Sequence, residues 1–514
     1  MSENIENGLL DLSLRFAVEE DAPLLFGWRN RPDIISLGLS GRAVCWDEHV
    51  LWFSETLGGK ERKLFIVEFD SHPIGQVRFD RLDHYSAEVS IYLLPEYTGR
   101  GWGRWVLDEG CRHIANDRWV DEVRARIRSD NPASLRAFRK AGFSTMAGLD
   151  EDVVLMKRRL VQIPHNRLTF GDEEVDSVAA VIRSGQWASG SQVVLLENKL
   201  AEMFDVGHAV CVGSGLGALR LAIKALGGSQ DVVVGVPAYS CVALANAVLS
   251  CGARLVTFDV RANSWNLDQV QACCVEPVVN SNILIAVNTF GLPADIDKLV
   301  ASGKSVIEDC SHGFKIDSKG RPLMGCARVA VFSFYATKLI GAGEGGAVLT
   351  NDAAVASFVR SWRDYSDKEP DGSRLNDKMN DIEASLALCQ LRRLSKTLVR
   401  RQQLADRYYE YLGTSRVLQG RVVLPELNYG RVWYRYAVEL ASVGAAEVVE
   451  LLARRGVRAE QPVTDWRPKF SPGCPNADRA YRNLISLPLY PRLTEAEQDA
   501  VIDAFISVIA EVSL

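Results

Sequence analysis

The feature that most constrains this chain is a regular alternation, after residue 163, of short apolar runs with helical stretches. Near-continuous apolar strands separated by helices predict a mostly parallel sheet that is covered by helices on both faces. In such sheets, ligands bind at the carboxyl ends of the strands. The predicted strands lie at 209–213, 231–236, 254–260, 283–290, 305–309 and 329–334. Their ends carry Ser214, Tyr239, Asp309 and Ser333, which mark the candidate site.

A second constraint is length, since 514 residues exceed what one ordinary hydrophobic core holds together. The clearest boundary follows the basic cluster at 157–159, where Pro164 opens the alternating pattern. Before that boundary, strand-like segments at 63–69 and 88–94 precede a glycine-rich turn and a helix. We therefore predict two domains, at residues 1–160 and 161–514.

Composition and charge exclude several classes of function. A net charge of −6 and a pI of about 5.8 argue against a dedicated nucleic-acid-binding protein, which usually carries a basic surplus. No apolar run reaches the roughly 18 residues of a membrane span, and the acidic start lacks the features of a signal peptide. Eleven scattered cysteines without metal-type spacing are typical of reduced thiols. We therefore expect a cytoplasmic protein with no metal site and no nucleic-acid or membrane partner.

The stretch at 211–219 is a small glycine-rich turn at which a strand ends and a helix begins. It contains Ser214, Gly215 and Leu216. The free backbone N–H groups and the dipole of a helix N-terminus favour a phosphate there. Turns of this kind also occur for plain packing reasons, so this stretch alone leaves both interpretations open.

Lys338 follows a buried strand and a polar turn, and a glycine-rich stretch comes after it. Partial removal from water makes a lysine amine more nucleophilic, so that it can bind a carbonyl cofactor covalently. The alternative interpretation is a surface lysine in front of a flexible loop.

The segment at 331–348, which contains Lys338, resembles the cofactor-lysine motif of the DegT/DnrJ/EryC1/StrS aminotransferases. Further similarities lie at 184–187 with Gly190 and at 486–491, in the order found in that family. The resemblance extends from residue 163 to the C-terminus. It implies a fold-type I α/β transferase with a mostly parallel sheet, helices on both faces and a small C-terminal subdomain. It also implies that Lys338 binds pyridoxal 5′-phosphate and that the substrate is a nucleotide-linked keto-sugar.

The same resemblance implies roles for residues around the cofactor ring. Asp309 matches the aspartate that pairs with the pyridinium nitrogen, where an anion keeps the ring protonated and electron-accepting. His312 matches a position near the phenolic oxygen of the ring, and Tyr239 matches the aromatic residue that stacks on it. The alternatives are a turn-capping aspartate, a structural histidine and an aromatic residue of the core.

Other matched positions concern the phosphate. Ser214, Gly215 and Ser333 match phosphate contacts, and Asn376 matches an asparagine that reaches the phosphate of a neighbouring subunit. The resemblance therefore implies a homodimer. Leu216 departs from the pattern because it stands where the family usually has Thr or Ser, so its contact with the phosphate is reduced to the backbone N–H.

In the N-terminal domain, a strand ends at a turn with three alternate glycines, and a helix follows. Glycines let the backbone approach a pyrophosphate, whose charge the helix N-terminus favours. A second element, at 129–143, contains a good N-cap followed by proline. Together the two elements resemble the GNAT acetyltransferases over residues 14–157, which implies a mixed central sheet with flanking helices and acetyl-CoA as co-substrate. The implied acetyl-CoA contacts are Gly99, Arg100, Gly101, Gly103, Arg104 and Asn131.

Two positions leave the activity of this domain open. Phe138 stands where many GNAT relatives have a tyrosine that protonates the departing CoA thiolate. Glu88 lies on the strand that leads into the glycine turn, a usual place for a general base that acts directly or through water. The alternatives are an exposed strand carboxylate for Glu88 and a solvated basic face for Arg100 and Arg104.

An aminotransferase makes an amine and an N-acetyltransferase consumes one, so their fusion predicts two consecutive steps on one substrate. The expected small molecules are a nucleotide-linked keto-sugar, an amino-acid donor (glutamate, by the resemblance) and acetyl-CoA. The acetylated amino sugar would enter a surface polysaccharide or a glycosylated small molecule. In one alternative, the N-terminal domain acts on a protein amine or only binds CoA. In the other, the C-terminal domain binds its cofactor as a sensor or scaffold without turnover.

Overall fold

The computed structural model describes residues 12–37, 42–83, 85–116, 119–146, 152–160, 163–270, 281–366, 374–428, 430–441, 443–467 and 473–512. The chain forms two compact units. The first comprises Met1–Ile163 and Glu450–Arg458, and the second comprises Pro164–Val449 and Ala459–Leu514. The segment Glu450–Arg458 lies outside the predicted first domain but belongs to the first unit, where Val457 forms a parallel bridge with Ile163.

Among its described residues, the first unit contains a seven-stranded sheet. In spatial order the strands are Leu12–Phe16, Arg62–Phe69, His72–Arg81, Ser86–Leu93, Glu122–Arg128, Val153–Arg159 and Ser144–Thr145. Neighbours are antiparallel except for Ser86–Leu93 and Glu122–Arg128, which run parallel. Those two strands pair only over 86–88 and 122–124, so the sheet opens in its middle.

Helices flank this sheet. They are Ala22–Arg29, Pro32–Leu37, Trp46–Gly58, Trp102–Asn116 and Pro132–Lys140, with 3-10 turns at Glu19–Asp21 and Pro95–Tyr97. On Trp102–Asn116 the apolar residues recur at helical spacing, so one face of the helix enters the core. Val106, Leu107, Cys111 and Ile114 are all buried there against the strands. This mixed sheet with flanking helices confirms the fold predicted for the N-terminal part.

The described part of the second unit contains another sheet of seven strands. In spatial order they are Arg254–Phe258, Val233–Pro237, Ser281–Val287, Ser305–Asp309, Val329–Ser333, Gly346–Thr350 and His208–Val212. Gly346–Thr350 runs antiparallel to both neighbours, and the other paired strands are parallel. The mostly parallel sheet that the apolar runs predict is therefore confirmed.

Both faces of this sheet are covered, which explains why its strands are apolar throughout. Along His208–Val212, Val210 and Val212 belong to a core cluster with the helix Gly215–Ala225. Ala209 and Cys211 belong to the opposite cluster. The helices of this unit begin with Asp172–Ser184, Ser191–Phe204, Gly215–Ala225, Val242–Ser250, Ile296–Ala301 and Ala353–Trp362. A helix of 33 residues, Asp381–Gly413, follows them.

The C-terminal part of the second unit is built on a smaller sheet. Its three strands, among the residues that the structure describes, are Val422–Val423, Tyr436–Leu440 and Leu484–Leu487. The helices Pro475–Asn483 and Glu495–Val512 belong to this part, and the helix Ala445–Arg454 belongs to the second unit up to Val449 and to the first unit from Glu450 onward. A short hairpin of Lys315–Ile316 with Pro322–Leu323 and a 3-10 turn at Thr289–Gly291 complete the elements. Within the described ranges, no helix has both the length and the apolar character that a membrane span requires.

Candidate functional site

Lys338 lies in the loop that joins the antiparallel strands Val329–Ser333 and Gly346–Thr350. Backbone hydrogen bonds fix this loop: Phe334 N–H donates to Gly345 O (2.8 Å) and Ala342 N–H donates to Phe334 O (2.8 Å). The Lys338 N–H also donates to a carbonyl within the loop, at a distance of 2.8 Å. The lysine is therefore held on an ordered turn directly after a buried strand and is not on a free surface loop.

Asp309 ends the neighbouring strand, and its side chain is buried. One carboxylate oxygen accepts a hydrogen bond from the Ser311 N–H (2.9 Å). Burial raises the pKa of Asp309, and the Ser311 bonds and the charge of Lys338 only partly oppose that rise. Asp309 and Lys338 therefore interact electrostatically. The buried carboxylate of Asp309 is costly to ionise unless a cation faces it.

His312 lies three residues beyond Asp309 and faces the same lysine. Burial, together with the charges of Lys338 and Arg435, holds the pKa of His312 well below its usual range, so the imidazole is neutral. Its Nδ1 atom is enclosed and has no hydrogen-bond partner among the described residues. An enclosed polar atom without a partner is costly and indicates a position where a ligand group completes the site.

Tyr434 is a residue of this site that the sequence analysis missed. Its ring stacks on the His312 imidazole, with centroids 4.7 Å apart and an angle of 18° between the planes. The Lys338 Nζ lies 5.0 Å from the Tyr434 ring centroid. Burial alone would raise the pKa of Tyr434, but Lys338, Arg435 and a hydrogen bond with Thr337 outweigh it, and the pKa lies below its ordinary value. No motif surrounds Tyr434, so the residue could not be identified from the sequence.

A second group of predicted residues meets at the N-terminus of the helix Gly215–Ala225. The Ser214 hydroxyl caps this helix by accepting a hydrogen bond from the Gly217 N–H (3.0 Å). A Cβ atom on Gly215 would lie 2.7 Å from the Ser333 Cβ and 2.9 Å from its Oγ. Only glycine fits this close approach, which leaves a small cradle of backbone N–H and hydroxyl groups. Such a cradle fits a phosphate, and with His312 it fits a cofactor that has a ring and a phosphate.

Leu216 and Asn376 lie at the edge of the same cradle. Leu216 is 42% exposed in the first turn of the helix. Asn376 is exposed and precedes Asp377, whose carbonyl accepts a hydrogen bond from the Gly213 N–H (2.7 Å) and whose carboxylate pairs with Arg220. The position of Asn376 beside the cradle, with its side chain outward, is compatible with the predicted contact to a second subunit, which stays a prediction.

Tyr239 is buried in a cluster of aromatic side chains. The residue is 1% exposed, and its ring packs edge-on against Tyr481 (4.8 Å, 69°), with Trp265 and Phe290 also close. Its ring therefore contacts the aromatic core on several sides. The stacking role stays a prediction.

In the first unit, the glycine-rich turn has the geometry that the sequence predicts. Gly99 and Gly101 have φ angles of 77° and 81°, in the left-handed region that favours glycine, and the helix Trp102–Asn116 begins directly afterwards. The Arg100 guanidinium lies over the Trp102 ring, 5.1 Å from its centroid. Arg104 pairs with Asp108 on the next turn (3.5 Å). Gly103 lies inside the first turn of the helix, with only a distant neighbour at its Cβ position.

Three further residues of this unit are placed as follows. Asn131 caps the helix Pro132–Lys140 by accepting a hydrogen bond from the Ser134 N–H (3.0 Å), so capping alone already explains it. Phe138 is buried against Phe143. Glu88 pairs with Arg126 across the two parallel strands (3.0 Å), at the last paired position before those strands part. The acetyl-CoA contacts and the role of Glu88 stay predictions.

Within the part of the chain that the structure describes, no group of three or more His, Cys, Asp and Glu side chains is arranged to hold a metal ion.

Comparison with known proteins supports the two-part organisation. The chain is 29% identical over 388 residues to the spore coat polysaccharide biosynthesis protein SpsC of Bacillus subtilis, which covers 68% of this chain and 98% of that protein. It is also similar to a DegT/DnrJ/EryC1/StrS aminotransferase of Brucella abortus (27% identity, TM-score 0.58, 65% of this chain and 95% of that one). DesV of S. venezuelae is similar to the same extent (27% identity, TM-score 0.61, 68% and 99%).

The family matches divide the chain in the predicted order. Residues 11–144 match the acetyltransferase (GNAT) domain, and residues 169–506, well over half of the chain, match the DegT/DnrJ/EryC1/StrS aminotransferase family. The chain therefore belongs to the DegT/DnrJ/EryC1/StrS aminotransferases, a family of pyridoxal-phosphate enzymes, and carries a GNAT acetyltransferase domain ahead of that part.

Proposed function

We propose that this protein transaminates a nucleotide-linked keto-sugar with glutamate as donor and then N-acetylates the amino sugar with acetyl-CoA. The observation that carries the first step is the meeting of Lys338, Asp309 and His312 at one sheet edge. The name of SpsC, a polysaccharide biosynthesis protein, supports a sugar as the substrate. The second step is supported by the GNAT match, since acetyl transfer consumes the amine that transamination makes.

Each residue of the aminotransferase site has its own role in the transamination. Pyridoxal phosphate, when bound, supplies an electron-accepting ring that carries the amino group from donor to keto-sugar. Asp309 would hold the proton at the ring nitrogen, because the ring cation would offset the burial that raises the pKa of this carboxyl group. Lys338 is the residue that would hold the cofactor covalently, and its free amine would move a proton at the substrate carbon. His312, whose enclosed Nδ1 atom has no hydrogen-bond partner among the described residues, would orient the cofactor through a hydrogen bond to one of its polar groups.

The phosphate contacts and the oligomeric state are both inferred from the cradle at the start of the helix Gly215–Ala225. Ser214, Gly215 and Ser333 would hold the phosphate, and the Leu216 backbone N–H would contribute at the helix N-terminus. Asn376 is exposed beside this cradle. We infer that Asn376 contacts the phosphate held by a second copy of the chain, so that the enzyme acts as a homodimer.

In the first unit, the glycine turn holds the acetyl-CoA pyrophosphate through Gly99, Gly101 and Gly103, with Arg100 and Arg104 beside it. Glu88 removes a proton from the acceptor amine, directly or through water, as the amine attacks the thioester carbon. The acetyl group moves to nitrogen, and CoA leaves as the thiol once it is protonated. Phe138 is apolar and buried, so that proton comes from another group or from water.

One reaction tests the whole proposal. The purified protein is mixed with pyridoxal phosphate, glutamate, acetyl-CoA and a panel of nucleotide-linked 3-keto- and 4-keto-sugars. The products are identified by mass spectrometry. We expect an amino sugar that gains one acetyl group. An amino sugar without acetylation would contradict the consecutive steps, and a bound cofactor with no amination of any sugar would favour the sensor interpretation.

Leu216→Thr is expected to tighten cofactor binding. The side chain is exposed in the first turn of the cradle helix, so a hydroxyl there has room to reach the phosphate. One added hydrogen bond of about 1 kcal/mol corresponds to a dissociation constant that is roughly fivefold lower. Titration of the cofactor-free protein followed by absorbance measures it. Leu249→Thr, at another exposed helical leucine, is the control and should leave the constant unchanged.

Glu88→Gln is expected to slow acetyl transfer roughly 100-fold at neutral pH, because the amide cannot accept a proton. The rate of CoA release with an amino sugar acceptor measures it, and the glutamate half-reaction should not change. Glu122→Gln is the matched control, because Glu122 also forms an ion pair with an arginine of this sheet, Arg124 on its own strand (2.9 Å). Equal rates for the two variants would show that Glu88 serves only its ion pair with Arg126.

A further inference from the structure

A cavity of about 210 Å³ lies in the first unit, and the sequence analysis singled out none of the residues that line it. It lies between the helices Ala22–Arg29 and Trp46–Gly58 and the strands His72–Arg81 and Ser86–Leu93. Its volume is below the roughly 300 to 1,000 Å³ of pockets for drug-sized ligands. It therefore has room for one sugar ring but not for a whole nucleotide sugar.

The cavity wall combines a flat aromatic surface with cations. Trp52 forms part of the wall, and the Arg78 guanidinium lies 5.3 Å from the centroid of its ring. Arg78 is fixed by Asp80, whose carboxylate accepts its Nε–H at 2.8 Å. Burial raises the pKa of Tyr92, while the charges of Arg29 and Arg78 act against that rise, which places both cations close to the phenol.

The polar groups of the cavity surround this aromatic wall. Gln76 supplies an amide, Tyr92 a phenol and Glu48 a carboxylate. A pyranose ring has apolar C–H faces and a polar rim, so it suits a flat indole with hydrogen-bonding groups around it. Two arginines suit the phosphate oxygens attached to such a ring. An extended peptide suits the cavity less well, because the strand His72–Arg81 is paired on both sides and offers no free edge.

The cavity also lies on the same face of the sheet as Glu88, the predicted general base. Side chains alternate along a strand, so Gln76 and Arg78 share a face with their cross-strand partners Tyr92 and Ser90. Glu88 is on the same face of the same strand, about 13 Å from Tyr92 along it. Between these two positions, the sheet opens where its parallel strands stop pairing. A ring in the cavity would thus present an amine toward that opening.

We propose that this cavity binds the sugar ring of the acetyl acceptor, a nucleoside-diphosphate-linked amino sugar, with Trp52 stacked on the ring and Arg29 and Arg78 on its phosphate. This inference rests on the proposed acetylation of an amino sugar and adds the site and the recognition. The nucleoside extends out of the cavity, and the ring and its phosphate determine which acceptor is chosen.

The test uses the full-length holoenzyme with a panel of dTDP- and UDP-linked amino sugars and a peptide with a free amino terminus. Binding is measured by saturation-transfer NMR, and acetylation by CoA release. We expect Trp52→Ala and Arg29→Gln to raise KM for the amino sugar at least tenfold and to leave KM for acetyl-CoA unchanged. Trp52→Phe and Arg29→Lys should recover much of the loss, which a merely misfolded variant would not allow.

Arg136→Gln, an exposed arginine on the helix Pro132–Lys140, is the control, and the glutamate half-reaction verifies folding of every variant. Acetylation of an amino sugar with the same KM in all variants would overturn the cavity assignment and leave the proposed function standing. Acetylation of the peptide alone would overturn both the acceptor class and the proposed second step. No binding of any panel sugar to the unmodified enzyme would overturn the inference as well.

Discussion

Lys338→Ala is expected to abolish transamination, with a loss of roughly 10⁴-fold or more in the glutamate half-reaction. Two contributions disappear together, because the same amine binds the cofactor and moves the proton at the substrate carbon. The loop around Lys338 is fixed by backbone hydrogen bonds, so removal of the side chain should not change its path. The measurement is stopped-flow absorbance after mixing with glutamate, beside mass spectrometry for a covalent cofactor adduct.

Lys319→Ala, in the exposed turn of the short hairpin, is the control for loss of a lysine and should keep full activity. Acetyl transfer to an amino sugar added from outside should also be unchanged in Lys338→Ala, since that chemistry belongs to the first unit. Residual transamination within tenfold of the unmodified enzyme would contradict the assignment. Loss of acetyl transfer as well would indicate that the variant has lost its fold.

Part of this site was predictable because strand ends carry a local signal. Ser214, Asp309 and Ser333 each follow an apolar run, and the parallel order of those runs brings their ends to one edge. Gly215 was also predictable as a residue of a helix N-terminus. The contact that makes it necessary, against Ser333, involves two distant segments and appears only in the fold.

Other residues of the site have no signal of this kind. Tyr434 precedes a strand of the smaller sheet and reaches Lys338 and His312 only through the packing of the second unit. The cavity around Trp52 could not be identified from the sequence either. Two helices and two strands form its wall, and none of them carries a motif. Tyr239 differs from both, because the sequence places an aromatic residue at a strand end, the fold buries it against Tyr481, and its stacking on the cofactor stays a prediction.

Asp309→Asn is expected to lower the rate of the glutamate half-reaction roughly 100-fold. A charge-assisted hydrogen bond to the ring nitrogen contributes up to about 3 kcal/mol, and each 1.4 kcal/mol is a factor of ten. The amide keeps the acceptor for the Ser311 N–H, so the turn after the strand is preserved. Asp317→Asn is the matched control, because Asp317 also accepts a backbone N–H two residues later, from Lys319, in an exposed turn.

The same substitution should make the cofactor-free protein more stable at neutral and alkaline pH. Burial raises the pKa of Asp309, so the folded state binds its proton more tightly than the unfolded state does. Folding stability therefore falls as pH increases from the ordinary aspartate pKa through the raised one, and the neutral amide removes that loss. We expect a higher Tm for Asp309→Asn than for the unmodified cofactor-free protein at pH 8 and a smaller difference at pH 4. A lower Tm for Asp309→Asn at pH 8 would contradict this prediction. It would mean that the Asp309 carboxylate stabilises the folded protein even without the cation of the cofactor ring.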